Sequence, residues 1–400
     1  MNVRNDFPIL AKKVNGKPIT YFDNSCVTLK PTQVISAMDA YYTDFTACAG
    51  RSNHRFAEET TRRFEAAHHT LEKFINAREN EVVLTRNTTE AINIVSNGLS
   101  FPKGSNVVTT NMEHNSNLVP WLRLAKKGVE HRMVPIGQNG ILDMAALSKA
   151  VDRKTRLVSL VHTSNVTGTT IDARAAAKIA HDNGALLLMD GAQSAPHRPV
   201  DVRRDDIDFF AFSGHKMLGP SGTGALYGKK QLLEQLDQFI VGGDTVKDVT
   251  ATGWVPEEVP MRFEAGLQDY AGAMGFAAAA DYLMRIGMDK VRKEEEMLGK
   301  KLLDGVLSLD KVSILGPSDT SKRGALVSFN IAGIAPHDIA LLLSESENIF
   351  VRSGMHCAHL YHKSLGLDKG SVRPSLYIYN TPEEIDRFIT AMKDIITHFS

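Results

Sequence analysis

The chain has 400 residues, 46 Lys and Arg balanced by 46 Asp and Glu, and 43% hydrophobic residues. That balance advertises no nucleic-acid or anionic-membrane surface, and no run reaches the ~18 apolar residues of a membrane span. Cys26, Cys48 and Cys357 are too few and too far apart for a disulfide framework, and they fit a reducing, cytoplasmic setting with at least one free thiol. The opening MNVRNDFPIL lacks the apolar stretch of a signal peptide. The length is too great for one compact core, so two domains are expected.

In chain order, short buried strands are expected at EVVLT (81–85), NVVTT (106–110), EHRMVPI (130–136), RLVSLVH (156–162), GALLLMD (184–190), DFFAF (208–212) and GALYG (224–228). Amphipathic stretches such as 88–99 and 173–184 separate most of them. Strands alternating with helices indicate a largely parallel sheet covered on both faces. Helices follow near 271–287 and 289–307, and the glutamate run in the second reads as a solvated face. KVSIL, ALVSFNIAG, a helix near 337–345, NIFVRSG, SVRPSLY and a final helix near 382–398 then suggest a smaller α/β domain. There is no internal repeat and no low-complexity linker.

In open parallel sheets, ligands bind at the carboxyl ends of the strands. Here LLLMDGAQ ends in Asp190 and FFAFSGHK ends in Lys216, while VVLTRNTTEAINI leads into a helix with Thr88 and Thr89 in its first turn. Each feature alone is ordinary, since such threonines usually cap helices and a lysine at a strand end is usually solvated. Together they suit pyridoxal phosphate, which needs an amine for its aldehyde, a carboxylate for its ring nitrogen and a phosphate cradle. An apolar, glycine-lined site would strip water from Lys216 and favour its neutral, nucleophilic form. Ser213 and His215 can add phosphate contacts. His114 of TTNMEHNSN can stack on the ring, and Asn165 of VHTSNVTGT and Gln193 of DGAQ are candidates for its phenolate oxygen.

The ordered series YFDNS, TRNTTEAIN, MEHNSNLVPW, TSNVTGT, DGAQS, FSGHKMLGPSGTGALY, RFEAG, RSGMHCAH and RPSLYIYNT resembles the class V aminotransferase-type enzymes of the fold-type I group. More narrowly, it is similar to the SUF-type cysteine desulfurases and their selenocysteine-lyase relatives. The resemblance implies an α/β fold with a mostly parallel seven-stranded sheet, helices on both faces and a smaller α/β C-terminal domain. The expected division is an N-terminal segment, 1–20, packing with the small domain; a large coenzyme-binding domain, 21–287; and a small domain, 288–400, carrying the cysteine loop. By the same resemblance Lys216 bonds the coenzyme, Asp190 pairs with the ring nitrogen and His114 stacks on the ring. Thr88, Thr89, Ser213 and His215 hold the phosphate, while Gln193 and Asn165 tune the ring and orient the substrate. Arg373 grips the substrate carboxylate, for which a bidentate guanidinium is suited. Arg352 lies near the catalytic loop, and Arg51 reaches toward the partner's site in a homodimer. Leu267 stands where relatives usually carry a phosphate-binding threonine, so that role is not carried over; Gly50, Asn87 and Met355 also depart from the pattern.

RSGMHCAH sets the expected reaction. Cys357 lies in a glycine-flanked loop, and the resemblance makes it the nucleophile that takes sulfur from L-cysteine as a persulfide, leaving L-alanine. Only the thiolate attacks, so a thiol pKa lowered by Arg352 or His356 would help. His114 is a candidate acid–base group, and an acceptor protein of an iron–sulfur assembly system would receive the sulfur. The alternatives are a selenocysteine lyase, a cysteine or cystine C–S lyase, a class V aminotransferase, or a sulfur-trafficking scaffold without catalysis. His356, Cys357, His359 and His362 also suggest a metal site, but their spacing supplies no closed ligand set. Cys26 and Cys48 read as structural.

Overall fold

In the computed structural model, which describes residues 1–399, seven apolar runs pair into one sheet. Their spatial order is Val82–Thr85, Gly224–Gly228, Phe209–Ser213, Leu186–Asp190, Thr155–Val161, Asn106–Thr110 and Glu130–Val134. Only Gly224–Gly228 runs antiparallel to its neighbours; the other pairings are parallel. Every residue of Asn106–Thr110, Phe209–Ser213 and Gly224–Gly228 is buried, because both faces of the sheet are covered. Leu188 pairs with Phe209 and Asp190 with Ala211, so the strands leading to Asp190 and Lys216 are immediate neighbours. Turns rather than a helix connect them.

A second sheet has five strands, in the order Val312–Leu315, Ser328–Ile331, Ser371–Arg373, Ile349–Gly354 and Thr20–Phe22. The last of these comes from the start of the chain and pairs in parallel with Ile349–Val351. The helices Met288–Leu307, Pro336–Glu347 and Pro382–His398 close this core through Leu302, Ile339 and Phe388. Ahead of Thr20, Arg4 donates to the Tyr379 carbonyl and pairs with Glu384 at 2.8 Å, and the Met1 amino group pairs with Glu294. An exposed hairpin, Val246–Thr250 with Gly253–Pro256, lies outside both sheets.

The helix Thr88–Gly98 begins at the edge of the large sheet, where Asn87 caps it by accepting the Glu90 N–H at 3.1 Å. Gly224 makes the close approach possible: a Cβ there would lie 2.6 Å from Asn87 Cα and 2.8 Å from the Phe212 carbonyl. Gly224→Ala should therefore destabilise the protein by about 1–3 kcal/mol, measurable by urea unfolding.

After the strand Asn106–Thr110 the chain turns around Glu113, which is fully buried. Thr110 Oγ1 donates to one carboxyl oxygen at 2.7 Å and Asn117 Nδ2 to the other at 2.6 Å. Burial pushes this carboxyl up to about 8, against those two bonds. The folded state thus holds a proton that the unfolded chain releases at acidic pH, and the stability it contributes is lost as pH rises through about 8. The stability difference between wild type and Glu113→Gln should shrink from pH 5 to pH 8, roughly in step with that titration, in urea unfolding at each pH.

Candidate active site

At the carboxyl ends of the large-sheet strands, where the small sheet comes alongside, lies a cavity of about 280 Å³. It is lined by Lys216, Asp190, His114, Thr88, Thr89, Ser213, His215, Asn165, Gln193, Arg373, Arg352 and Cys357. Arg51 lies outside it, exposed and paired with Asp244. Leu267, 69% exposed, borders a separate cavity with Thr223 and Gln268.

Burial dominates the electrostatics. Asp190 is 3% exposed and accepts the Ala192 N–H at 3.0 Å; burial raises its pKa, while that bond and the nearby Lys216 pull it down. Burial lowers the Lys216 pKa against the opposing pull of Asp190. Dehydration, with the charges of Lys216 and Arg373 beside it, holds His114 down at about 3; dehydration with Lys216 and Lys30 holds His215 at about 4. Both rings are neutral at pH 7. His114 Nδ1 accepts the Ser116 N–H at 3.1 Å, so the ring proton sits on Nε2.

The Thr88 amide donates to Ser213 Oγ at 2.9 Å and the two hydroxyls meet at 2.7 Å, while Thr89 Oγ1 lies 2.7 Å from Ser116 Oγ. The first turn of the helix, both hydroxyls and Ser213 thus form one polar wall. Arg373 is buried; it donates to the Asn165 carbonyl at 2.9 Å and lies 3.6 Å from Asp23 Oδ1, leaving its Nε without a partner. Arg352 is exposed and lies 3.9 Å from Asp23 Oδ2. Asn165 Nδ2 donates to the His356 carbonyl at 2.8 Å and Gln193 Nε2 to the Ser25 carbonyl at 2.7 Å. Each amide therefore presents a buried oxygen with no partner and keeps a second N–H that can serve the phenolate oxygen expected from the sequence.

The turn that carries Lys216 is clamped from behind. The His215 carbonyl accepts from the Thr28 amide at 2.9 Å, Thr28 Oγ1 at 3.1 Å and Lys30 Nζ at 3.2 Å. Thr28 Oγ1 also takes the amide of Leu218, which sits at φ 66°, a conformation costly outside glycine. Lys30 makes no ion pair among the described residues, and burial brings it down to about 7.

The cysteine loop bends through Gly354 at φ 107°, His356 at 48° and Cys357 at 54°. Cys357 is exposed, and its carbonyl accepts the Asn115 amide at 2.6 Å. His362 Nδ1 lies 3.1 Å from the Ala358 carbonyl, so it donates there and its Nε2 accepts the Ser371 hydroxyl, 3.1 Å away. His356 Nε2 then donates to Ser371, with Oγ at 3.0 Å and the carbonyl at 3.1 Å. Burial, Arg373 and His362 hold His356 far below its ordinary pKa. A neutral imidazole supplies no cation to the thiol, so the expected help from His356 is corrected.

Sequence reasoning missed Cys26, which also lines the cavity and is half-buried rather than a core residue. Its signal was its place directly after YFDNS, a motif whose Asp23 faces Arg373. Asp23 and Lys30 were missed as well.

The chain matches the family described as Aminotransferase class-V over residues 20–388. It is 40% identical to a cysteine desulfurase of Haloferax volcanii, covering 98% of this chain and 95% of that one. The solved apo structure of the cysteine desulfurase from Thermococcus onnurineus NA1 superposes with a TM-score of 0.94 at 37% identity, covering 99% of this chain and 98% of that one. A C-DES mutant with glycine covalently linked to its PLP cofactor superposes with a TM-score of 0.85 at 25% identity, covering 98% and 100%. Sequence and fold agree along nearly the whole length, and the chain belongs to the class-V aminotransferase family.

Proposed function

We propose that the chain is a pyridoxal phosphate-dependent cysteine desulfurase that converts L-cysteine to L-alanine and leaves the sulfur on Cys357 as a persulfide. The observation that carries this reading is a single cavity that brings an amine, a buried carboxylate, a hydroxyl-lined helix start, a buried guanidinium and an exposed thiol together. The coenzyme suits these groups, and the two unpartnered amide oxygens indicate a site built for a polar guest. Bound there, it would hold the substrate amino group and draw electrons from the α-carbon.

The chain's own residues supply the rest. Lys216, which burial biases toward the neutral amine, would hold the coenzyme's aldehyde carbon, and its Nζ is the base that would take the α-proton. Asp190 would keep a proton at the ring nitrogen, and Thr88, Thr89, Ser213 and His215 would bind the phosphate. Arg373 takes the substrate carboxylate. Asn165 and Gln193 would tune the ring and orient the substrate. His114 would stack on the ring and could donate a proton from Nε2. The Cys357 thiolate attacks the substrate sulfur; an S–S bond forms as the C–S bond breaks, and the carbon ends as alanine.

Arg51, outside the cavity, is read as serving the site of a second copy in a homodimer. The exposed Cys357 would pass its sulfur to an acceptor protein for iron–sulfur cluster assembly in the cytoplasm. No described helix is long and apolar enough to cross a membrane. The chain is read as an N-terminal segment (1–20), a large domain (21–287) and a small domain (288–400).

Product analysis with L-cysteine, with and without a reductant, tests the reading. Wild type should yield alanine and a persulfide on Cys357. Lys216→Ala should lower alanine formation by about a hundredfold to ten-thousandfold. Cys357→Ala should abolish persulfide and cut alanine formation roughly a hundredfold. Sulfide release unchanged in Cys357→Ala would favour a C–S lyase and sink desulfuration.

A further inference from the structure

Two thiols, not one, face the reacting lysine. Cys26 and Cys357 both line the cavity of about 280 Å³, and both lie within electrostatic reach of Lys216; Cys26 also lies within reach of Arg373. The two thiols are held in parallel ways. Gln193 Nε2 tethers the carbonyl of Ser25, the residue before Cys26, and Asn165 Nδ2 tethers the carbonyl of His356, the residue before Cys357. Gln193 is 2% exposed and Asn165 5%, and each leaves a buried oxygen without a partner. Such oxygens can accept from a thiol or perthiol S–H. Cys357 is exposed on its loop, whereas Cys26 is half-buried deeper in the chain's first strand connection.

We propose that Cys26 is a second sulfur carrier of the active site, taking the outer sulfur from the Cys357 persulfide. The inference rests on the desulfurase reading above. The Cys26 thiolate attacks the outer sulfur of Cys357–S–SH. A Cys26 S–S bond forms, the Cys357 S–S bond breaks, and Cys357 leaves as thiolate, ready for another turnover. The sulfur keeps its oxidation level, so the exchange needs no oxidant or reductant. Sulfur drawn to the half-buried thiol is shielded from solvent while no acceptor is docked.

The test incubates holoenzyme with L-cysteine in the absence of reductant and follows alanine together with peptide-mapping mass spectrometry. Wild type, Cys26→Ala, Cys26→Ser and Cys357→Ala are compared, with coenzyme absorbance confirming that each variant is folded and loaded. Wild type should form about two alanines per chain before stalling and carry an extra sulfur at both positions, whereas both Cys26 variants should stop at about one. Cys357→Ala should carry none at Cys26. An unmodified Cys26 in wild type, or equal bursts in wild type and Cys26→Ala, overturns the proposal. An extra sulfur on Cys26 in Cys357→Ala overturns the order of transfer and with it the proposal. Wild type that forms neither alanine nor persulfide overturns the desulfurase reading as well, so the two failures are distinct.

Discussion

The placing of a buried Asp190 beside a half-buried Lys216 at one sheet end is the constraint on which the rest of the site depends. Neighbouring parallel strands in register bring the carboxylate and the amine to one end of the sheet. Burial disfavours the charge on each, and each is the other's compensation. The same logic extends outward. Arg373 is buried beside Asp23, and its one neutral contact is a backbone carbonyl of the loop that holds Asn165.

Around that centre the two sheets divide the labour. The large sheet and the helix after its edge strand supply the amine, the carboxylate and the hydroxyls. The small sheet supplies Arg373 from Ser371–Arg373 and, just past Ile349–Gly354, Cys357. The backbone makes both contributions possible at some cost. Leu218 behind Lys216, and His356 and Cys357 in the thiol loop, occupy the left-handed region without being glycine. Thr28 and Lys30 stabilise the first turn, and Asn165 and Asn115 hold the second. Strain at turns that carry chemistry persists only where neighbours over-determine the conformation.

The large sheet was legible in the sequence because buried parallel strands are continuous apolar runs. Asn106–Thr110 and Gly224–Gly228 fall where the runs predict. The strand expected over 130–136 stops at Val134, because Pro135 has no N–H to give the ladder. Thr20–Phe22 was not legible: three residues carry no periodicity, and the pairing partner lies at the far end of the chain. The hairpin of Val246–Thr250 and Gly253–Pro256 has no buried face and so no alternation to read. At the site, residues in motifs at strand ends could be placed together from sequence. Asp23 and Lys30 could not, since what they face is set by distant chain, and only its place after YFDNS marked Cys26. The neutrality of His356 likewise arises from burial beside Arg373 and His362, and no local pattern encodes it.

The parallel pairing of Thr20–Phe22 with Ile349–Val351 has a further consequence. Domains tend to fold as they emerge during synthesis, amino end first. Here the amino end is a missing outer strand for a sheet whose other members are made last. The large sheet can close while the ribosome is still at work, but the opening residues must wait, unpaired, for the carboxyl-terminal third of the chain. The reactive thiol loop, which continues from that late strand, is therefore among the last parts of the molecule to take shape.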